Sequence, residues 1–278
     1  MENKNSHKKK HPFIKFISVM FVFFIFWRYN NYHLSINETS VSSHKITEPV
    51  RFAVLSDLHA HNGGISNDTV LDKLKKANPD TVFVLGDMYS RNSDLNEQNL
   101  ALQLMQSIAE NYPTYFVPGD HDTSESYKSA LSDLGVHVMN YAEETFELKG
   151  NRFRIIGIDN VYYSHTFDLN NAFMLDESCY NILLAHIPNY EKFADFGADL
   201  TLCADTHGGM ARLPFIGTLY DSLSGKIFPT LRNAEVYDKG WFKYDGGAMF
   251  ITSGIGDSPY PIRLFNLPEI VSLEILPE

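Results

Sequence analysis

Seven acidic and histidine residues of the types that bind metal ions lie in five short clusters spread over 150 positions of this 278-residue chain. They are Asp57, His59, Asp87, Asp120, His186, Asp205 and His207. Carboxylate and imidazole groups together suit divalent manganese, iron and zinc, whereas thiolate would select softer ions. The clusters therefore predict one metal site, provided that the fold brings them together.

Short apolar runs precede these clusters, at residues 52–55, 81–85, 115–117, 182–185 and 200–203. Unbroken apolar runs of this length are typical of strands that are buried on both faces of a sheet. Ligands enter open α/β sheets at the carboxyl ends of strands, so side chains that are far apart in sequence can meet there. We therefore expect the five clusters to converge on one crevice.

The order and spacing of the clusters resemble the calcineurin-like metallophosphoesterase family, over roughly residues 50 to 275. The matching motifs are Asp57-Leu58-His59, Gly86-Asp87, Gly119-Asp120-His121-Asp122, His186 and Asp205-Thr206-His207. The glycine-rich segment 253–256 and the following residues 261–263 are similar to the membrane-anchored bacterial branch of that family. The resemblance implies a four-layer α/β/β/α sandwich of two mixed sheets, whereas periodicity alone supports only a mixed α/β fold.

Family roles follow residue by residue from this resemblance. Asp57, His59 and His207 would bind the first metal. Asp87 would bridge the two metals, and Asp120, His186 and Asp205 would bind the second. His121 would lie beside the leaving-group oxygen as a general acid or as a charge stabiliser. Arg91 and Arg212 could bind a substrate phosphate bidentately, although each is also suited to a structural ion pair.

Three positions depart from the family pattern. Asp120 replaces an asparagine, Asp205 replaces a histidine, and Ser90 replaces an aspartate that orients the motif-three histidine in many relatives. Four carboxylates shift the ligand set toward hard oxygen, so we expect two divalent ions with Mn or Fe favoured over Zn. Ser90 would leave His121 a weaker acid.

Each cluster by itself has a simpler interpretation. A lone histidine after a strand, such as His186, is usually structural, and a Gly-Asp pair such as Gly86-Asp87 is usually a turn. Five clusters in the order of one family are not expected from unrelated turns. The metal site is therefore the better interpretation of the whole set.

The N-terminus carries a second signal, five lysines within the first fifteen residues followed by the apolar run 16–27. This arrangement is typical of an export signal, and no small-residue cleavage site follows it. We expect a basic cytoplasmic N-terminus at 1–12, a membrane anchor at 13–29, a polar tether at 30–48 and the catalytic domain, outside the cytoplasmic membrane, at 49–278. An apolar helix that packs on the domain is the alternative.

Between the ligand-bearing strands, the pattern predicts helices at 68–76, from 94 or 96 to 110, and at 124–134, with Asp68 as the N-cap of the first. Strands at 145–149 and 153–158 predict a hairpin. The apolar stretch 208–239 should flank the cleft, where it could grip an acyl chain, contact the bilayer, form a lid or simply pack.

Composition limits the classes of molecule that this protein is expected to bind. The formal charge is −11, and the first fifteen residues, with five lysines and one glutamate, leave −15 for the remainder. Such a domain lacks the basic stripe that attracts nucleic acid. Two cysteines, Cys179 and Cys203, are too few for a disulfide framework, and the sequence leaves their pairing and the oligomeric state open.

We therefore expect a membrane-anchored phosphoesterase (a hydrolase). It would cleave a phosphodiester or pyrophosphate bond by attack of a metal-bound hydroxide, in a substrate that is membrane-associated, such as a lipid-linked phosphate. The alternative is a non-catalytic metal-binding or structural protein with a degenerate phosphoesterase site, which the three departures would favour.

Overall fold

A computed structural model describes residues 12–160, 164, 166–232 and 234–278. The predicted basic segment at the N-terminus lies outside these residues, apart from Pro12. The α-helices of the described chain are α1 Pro12–Tyr32, α2 Asn67–Ala77, α3 Leu95–Ala109, α4 Glu125–Asp133, α5 Leu169–Ala172 and α6 Tyr190–Phe196.

Sixteen strands are present among the described residues. The first eight are β1 Ser35–Ser43, β2 Val50–Leu55, β3 Thr81–Val84, β4 Thr114–Phe116, β5 His137–Val138, β6 Ala142–Leu148, β7 Asn151–Gly157 and β8 Tyr180–Leu184. The others are β9 Leu200–Cys203, β10 Arg212–Leu213, β11 Gly217–Thr218, β12 Tyr220–Asp221, β13 Lys226–Ile227, β14 Gly240–Tyr244, β15 Gly247–Ile251 and β16 Glu269–Pro277.

Two six-stranded mixed sheets form the centre of the domain. Their strand orders are β1-β16-β2-β3-β4-β5 and β14-β15-β9-β8-β7-β6. Strands β2 to β5 are parallel in the first sheet, and β7, β8, β9 and β15 are parallel in the second. All strands that precede predicted ligands belong to these parallel runs, so their carboxyl ends lie on one side of each sheet.

Alternate side chains of the central strands are buried in different layers. In β2, Phe52 and Val54 face the apolar layer between the sheets, whereas Ala53 and Leu55 face the layer shared with α2, α3 and α4. Leu183 of β8 joins the layer beneath α6 on the outer side of the second sheet. The expected four-layer α/β/β/α sandwich and the strands buried on both faces are confirmed.

The three predicted helices and the hairpin of β6 and β7 are confirmed with small shifts. α3 begins with a capping box, in which the Asp94 side chain accepts the backbone amide of Glu97 and the Glu97 side chain accepts the backbone amide of Asp94. The N-cap of α2 is Ser66 rather than Asp68, because the Ser66 hydroxyl accepts the free amide of Thr69.

The structure corrects the prediction of a polar tether at 30–48. Residues 35–43 form β1, which pairs in parallel with the C-terminal strand β16 at the edge of the first sheet. Beyond β1, Lys45 forms an ion pair with Asp199 at 2.8 Å. The strand is polar and lacks apolar periodicity because it is an edge strand, whose stability comes from backbone pairing with a partner more than 220 residues away.

Helix α1 is long and apolar enough to cross a membrane over Phe13–Tyr32. Its side chains from Phe13 to Ile25 are exposed, and burial is reached only near its end, where Asn30 and Asn31 are 3% and 1% exposed. The domain therefore leaves most of this apolar helix uncovered, which disagrees with the alternative of a helix packed along the domain.

Candidate metal centre

The structure brings all seven predicted ligands to one place. The loop after β2 carries Asp57 and His59, and the loops after β3 and β4 carry Asp87 and Asp120. From the second sheet, the loops after β8 and β9 carry the other ligands, which are His186, Asp205 and His207. The carboxyl ends of both parallel runs therefore meet at the same crevice.

Within this crevice the side chains divide into overlapping groups, whose ligand atoms lie within 4.8 Å of one another. The groups are Asp57 with His59 and His207; Asp120 with His186 and Asp205; and Asp87 both with His59 and His121 and with Asp57 and His186. Asp87 thus lies between two triads, the position that the family resemblance implies for a bridging ligand.

Five of the seven side chains are held by a left-handed backbone. The φ angles are 50° at Asp57, 42° at His59, 54° at Asp87, 67° at Asp205 and 48° at His207. This region is unfavourable for residues with a Cβ, and such residues cluster at functional sites where packing overrides the strain. The loops after β2 and β3 supply that packing here, since the amides of Asp57 and His59 donate to the carbonyls of Gly86 and Asp87.

Asp122 ties two of these loops together and was not assigned to the site from sequence, although it closes the third motif. Its buried carboxylate accepts the backbone amides of Asp87, Met88 and Gly119. Burial, reinforced by the charge of Asp87, raises the pKa of Asp122 to about 7. The carboxylate therefore positions Asp87 rather than binding a ligand itself.

The loop at 253–256 forms the floor beneath Asp57. The amide of Ile255 donates to the Ser56 carbonyl at 3.0 Å, and a Cβ on Gly254, where φ is +64°, would lie 2.5 Å from Asp57 Oδ2. Only glycine allows this close approach. The loop therefore sets the position of the Asp57 carboxylate.

Arg263 holds that floor from below and was also missed from sequence, where it was one residue of a C-terminal motif. Its guanidinium is 2% exposed and donates to the carbonyls of Ser253, Gly254 and Gly256. Burial lowers the pKa of Arg263 to about 10, and the charge of Asp57 opposes that shift. Its positive charge thus lies close to the cluster of carboxylates.

Electrostatics at the centre are those of crowded carboxylates. Burial raises the pKa of Asp57 to about 7 and that of Asp205 to about 6. Burial lowers the pKa of His59 to about 4. Burial also disfavours the charged form of His186, but the negative carboxylate of Asp87, 3.4 Å from Nε2, raises the pKa of His186 well above its usual value. The cluster therefore attracts positive charge.

The donor set fits divalent cations. Among the described residues, three buried polar atoms of the cluster have no hydrogen-bond partner, namely Asp57 Oδ1, His186 Nε2 and His207 Nδ1. His186 donates from Nδ1 to the Leu85 carbonyl, which leaves Nε2 as a free lone pair in the neutral ring. Unpartnered buried donors and acceptors are unfavourable, and a cation at Asp57 and His186 would satisfy them.

Comparison with known sequences agrees with this geometry. A sequence profile of the family described as calcineurin-like phosphoesterase matches residues 50–212. The chain belongs to the calcineurin-like phosphoesterase family. Membership indicates a hydrolase of phosphoesters.

Similar bacterial proteins cover most of this calcineurin-like phosphoesterase. The metallophosphoesterase YkuE of Bacillus subtilis is 24% identical over 73% of this chain and 70% of YkuE. The phosphodiesterase YaeI of Escherichia coli is 24% identical over 82% of this chain and 83% of YaeI. A metallophosphoesterase of Aquifex aeolicus is 27% identical over 88% of this chain and 92% of that protein.

Ser90 of this phosphoesterase serves a different histidine from the expected one. Its hydroxyl lies 3.0 Å from His59 Nδ1, which leaves His59 Nε2 to face Asp87 at 3.5 Å. His121 Nδ1 instead accepts the backbone amide of Arg91 at 2.8 Å. A backbone donor therefore orients the motif-three histidine, where the sequence comparison suggested that an orienting carboxylate was lost.

The two predicted phosphate-binding arginines of the phosphoesterase have different surroundings. Arg91 is at the rim, 63% exposed, and lies 3.7 Å from the Asp120 carboxylate. Arg212 is paired with Asp238 and also donates to the Gly208 carbonyl, so it braces the loop after His207. A role in substrate binding stays a prediction for both.

Cys179 and Cys203 are free and buried.

Proposed function

We propose that this phosphoesterase is a dimetal enzyme that hydrolyses a phosphodiester or pyrophosphate bond in a membrane-associated substrate. The observation that supports it most is the pair of triads on either side of Asp87, with two unpartnered ligand atoms, Asp57 Oδ1 and His186 Nε2, buried in the cluster. Two cations bound there would supply the attacking hydroxide at neutral pH and offset the charge of the phosphoryl oxygens.

The residues of the chain position the reaction. Asp87 lies between the two triads and is held in place by Asp122, so it fixes their separation. His121 accepts the Arg91 amide at Nδ1, so its neutral ring carries the proton on Nε2, which lies 3.9 Å from both Asp87 and Asp120. From there it can donate a hydrogen bond to a phosphoryl or leaving-group oxygen as negative charge develops.

We infer a preference for Mn or Fe over Zn from the hardness of the four carboxylates. Asp120 and Asp205, two of the three departures from the family pattern, both lie with His186 in one triad. Aspartate oxygen is a competent metal ligand, so these departures alter the ligand set without removing it. The degenerate-site alternative therefore gains no support from their placement.

We propose that α1 anchors the enzyme in the cytoplasmic membrane by a single pass, as in a membrane-anchored bacterial branch of the family. The excess of lysine before the helix supports an orientation with the N-terminus inside and the catalytic domain outside. The substrate is a phosphate ester, with lipid-linked phosphates meeting the site at high effective concentration. Nucleic acid is disfavoured by a formal charge of −11.

The test is hydrolysis of bis(p-nitrophenyl) phosphate by the full chain in detergent, stripped of metal and reloaded with Mn²⁺ or Zn²⁺. His59→Ala removes a ligand, and His44→Ala changes an exposed histidine away from the cluster as the matched control. We expect turnover that requires metal, is higher with Mn²⁺, and is lost only in His59→Ala. Metal-independent release of nitrophenol, or equal turnover of wild type and His59→Ala, would refute the proposal.

A further inference from the structure

The C-terminal turns of α1 are attached to the segment 258–265, which lies next to the floor of the metal centre. Three hydrogen bonds of 2.7–2.8 Å and one edge-on aromatic contact join them. The contacting pairs are Trp27 with Pro261, Asn31 with Arg263, and Asn30 and Phe26 with Phe265. The C-terminal end of the helix is therefore fixed to the domain and is not joined to it by a flexible linker.

This attachment sets the depth of the segment in a bilayer. The candidate span Phe13–Tyr32 has 20 residues, so it rises about 30 Å, the thickness of a hydrocarbon core. Tyr32 then lies at the outer boundary, and Trp27 lies about 7.5 Å deeper. Because the Trp27 indole donates to the Pro261 carbonyl, the segment that carries Pro261 lies within about 7.5 Å of that outer boundary.

The surface of this segment suits that level. Tyr260, Ile262 and Phe265 are 67%, 55% and 53% exposed. The single charged residue of 258–265 is Arg263, and its guanidinium is turned inward onto backbone carbonyls. Aromatic and aliphatic side chains without an exposed charge are favoured at the boundary between hydrocarbon and head groups.

A cavity connects this level to the metal centre. It has a volume of about 370 Å³ and is lined by Tyr32 at the end of α1, by Pro259 and Pro261, and by His59 of the cluster. A phosphate in the head group of a lipid beside α1 would therefore need only a lateral movement into this cavity to approach the ligands.

We propose that Tyr260, Ile262 and Phe265 form a bilayer-contact loop that, with the docked end of α1, holds the mouth of the metal centre at head-group depth. The substrate class that fits is a lipid with a phosphodiester or pyrophosphate in its head group. This substrate class rests on the proposed function, whereas the seating of the loop in the bilayer does not.

The first experiment measures the depth of the loop in the full chain. A cysteine at Ile262→Cys carries a nitrobenzoxadiazole label in vesicles of phosphatidylethanolamine and phosphatidylglycerol, with a doxyl quencher near the head group. Glu177→Cys is the control, because it precedes β8 at the end of the sheet opposite the ligands. We expect strong quenching at 262 and little at 177, and equal quenching at both would overturn the proposal.

The second experiment compares two substrates with the same leaving group, soluble bis(p-nitrophenyl) phosphate and the p-nitrophenyl ester of dioleoyl phosphatidic acid in vesicles. In the double variant Ile262→Asp, Phe265→Asp, turnover of the lipid ester should fall about tenfold or more, since charges at this depth are unfavourable. Turnover of the soluble ester should stay within about twofold.

An equal fall on both substrates would mean that the loop supports the metal centre, and an unchanged lipid rate would mean that it does not meet the bilayer; either outcome overturns the proposal. Wild type that cleaves neither ester would refute the proposed function. The quenching experiment would still decide the position of the loop in that case.

Discussion

Gly254→Ala should damage the metal centre through a single methyl group. The new Cβ would lie 2.5 Å from Asp57 Oδ2 and 2.7 Å from Asp57 Cβ, so the aspartate would have to move by about 1 Å to reach ordinary van der Waals contact. A displacement of about 1 Å at a catalytic group can lower the rate about 100-fold. Metal affinity should fall about 10- to 100-fold, as for other changes that displace a ligand through its supporting contacts.

The effect of backbone strain must be separated from the effect of this displacement. The φ angle at Gly254 is +64°, and an alanine in that region lowers the stability by about 1–2 kcal/mol. Gly225→Ala provides the matched control. It has φ of +66°, and no described heavy atom outside its own neighbourhood lies within 4 Å of the Cβ position. It should lose similar stability while keeping metal affinity and turnover.

The assay is calorimetric titration of metal-stripped full-length protein with Mn²⁺, together with thermal unfolding and turnover of bis(p-nitrophenyl) phosphate, for wild type and both variants. We expect both variants to melt at lower temperature and only Gly254→Ala to lose metal affinity. If Gly254→Ala binds Mn²⁺ as tightly as Gly225→Ala, the 253–256 loop does not position Asp57 and our reasoning is refuted.

Three further predictions concern buried charge and the catalytic histidine. Asp122→Ala should lower the free energy of unfolding by about 3 kcal/mol or more, because it strips three backbone amides of their acceptor, and a loss under about 1 kcal/mol in denaturant titration would contradict this. Metal-stripped protein should melt at progressively lower temperature from pH 6.5 to 8, because the raised pKa of Asp57 and Asp122, about 7 in each case, makes the folded state bind more protons than the unfolded state there. The lowered pKa values of His59 and His207 oppose this trend near pH 6.5, and their effect fades over about one pH unit above it, because the unfolded histidines also lose their protons there. A melting temperature that stays flat or rises with pH in EDTA would be the contrary result. His121→Ala should reduce kcat/KM about 100- to 1000-fold with the metals still bound, whereas His121→Gln, which keeps a donor, should recover part of it; equal loss would indicate proton transfer instead.

Short-range patterns in the sequence were sufficient to predict the central strands and the polar residues that follow them. A strand buried on both faces must be apolar throughout, so the run at 52–55 identified β2 before any pairing was known. A polar residue directly after such a run is often only a turn, as a Gly-Asp pair usually is. Asp57 and Asp87 were recognisable as site candidates because five such clusters follow one another in the order of one family.

Supporting residues could not be recognised in this way, because their partners are distant in sequence. Ser90 was compared with a carboxylate that orients His121, but its hydroxyl contacts His59. Arg263 acts through its contacts with backbone carbonyls, and a backbone carbonyl leaves no mark on the sequence. Nothing in residues 253–263 states that their loop passes beneath Asp57.

The sequence by itself thus determined the chemistry of the donors, the strands that carry them and the apolar N-terminal helix, since each depends on residue type and local period. Tertiary structure brought the ligand atoms of each expected triad to within 4.8 Å of one another, and it turned the expected tether into β1. Edge strands are stabilised by backbone hydrogen bonds to a neighbouring strand, here β16, and those bonds are almost independent of side-chain identity. The seating of α1 on Pro261 and Phe265 was also decided by the tertiary structure, because the side chains of Trp27 and Asn30 bond to backbone groups more than 230 positions away.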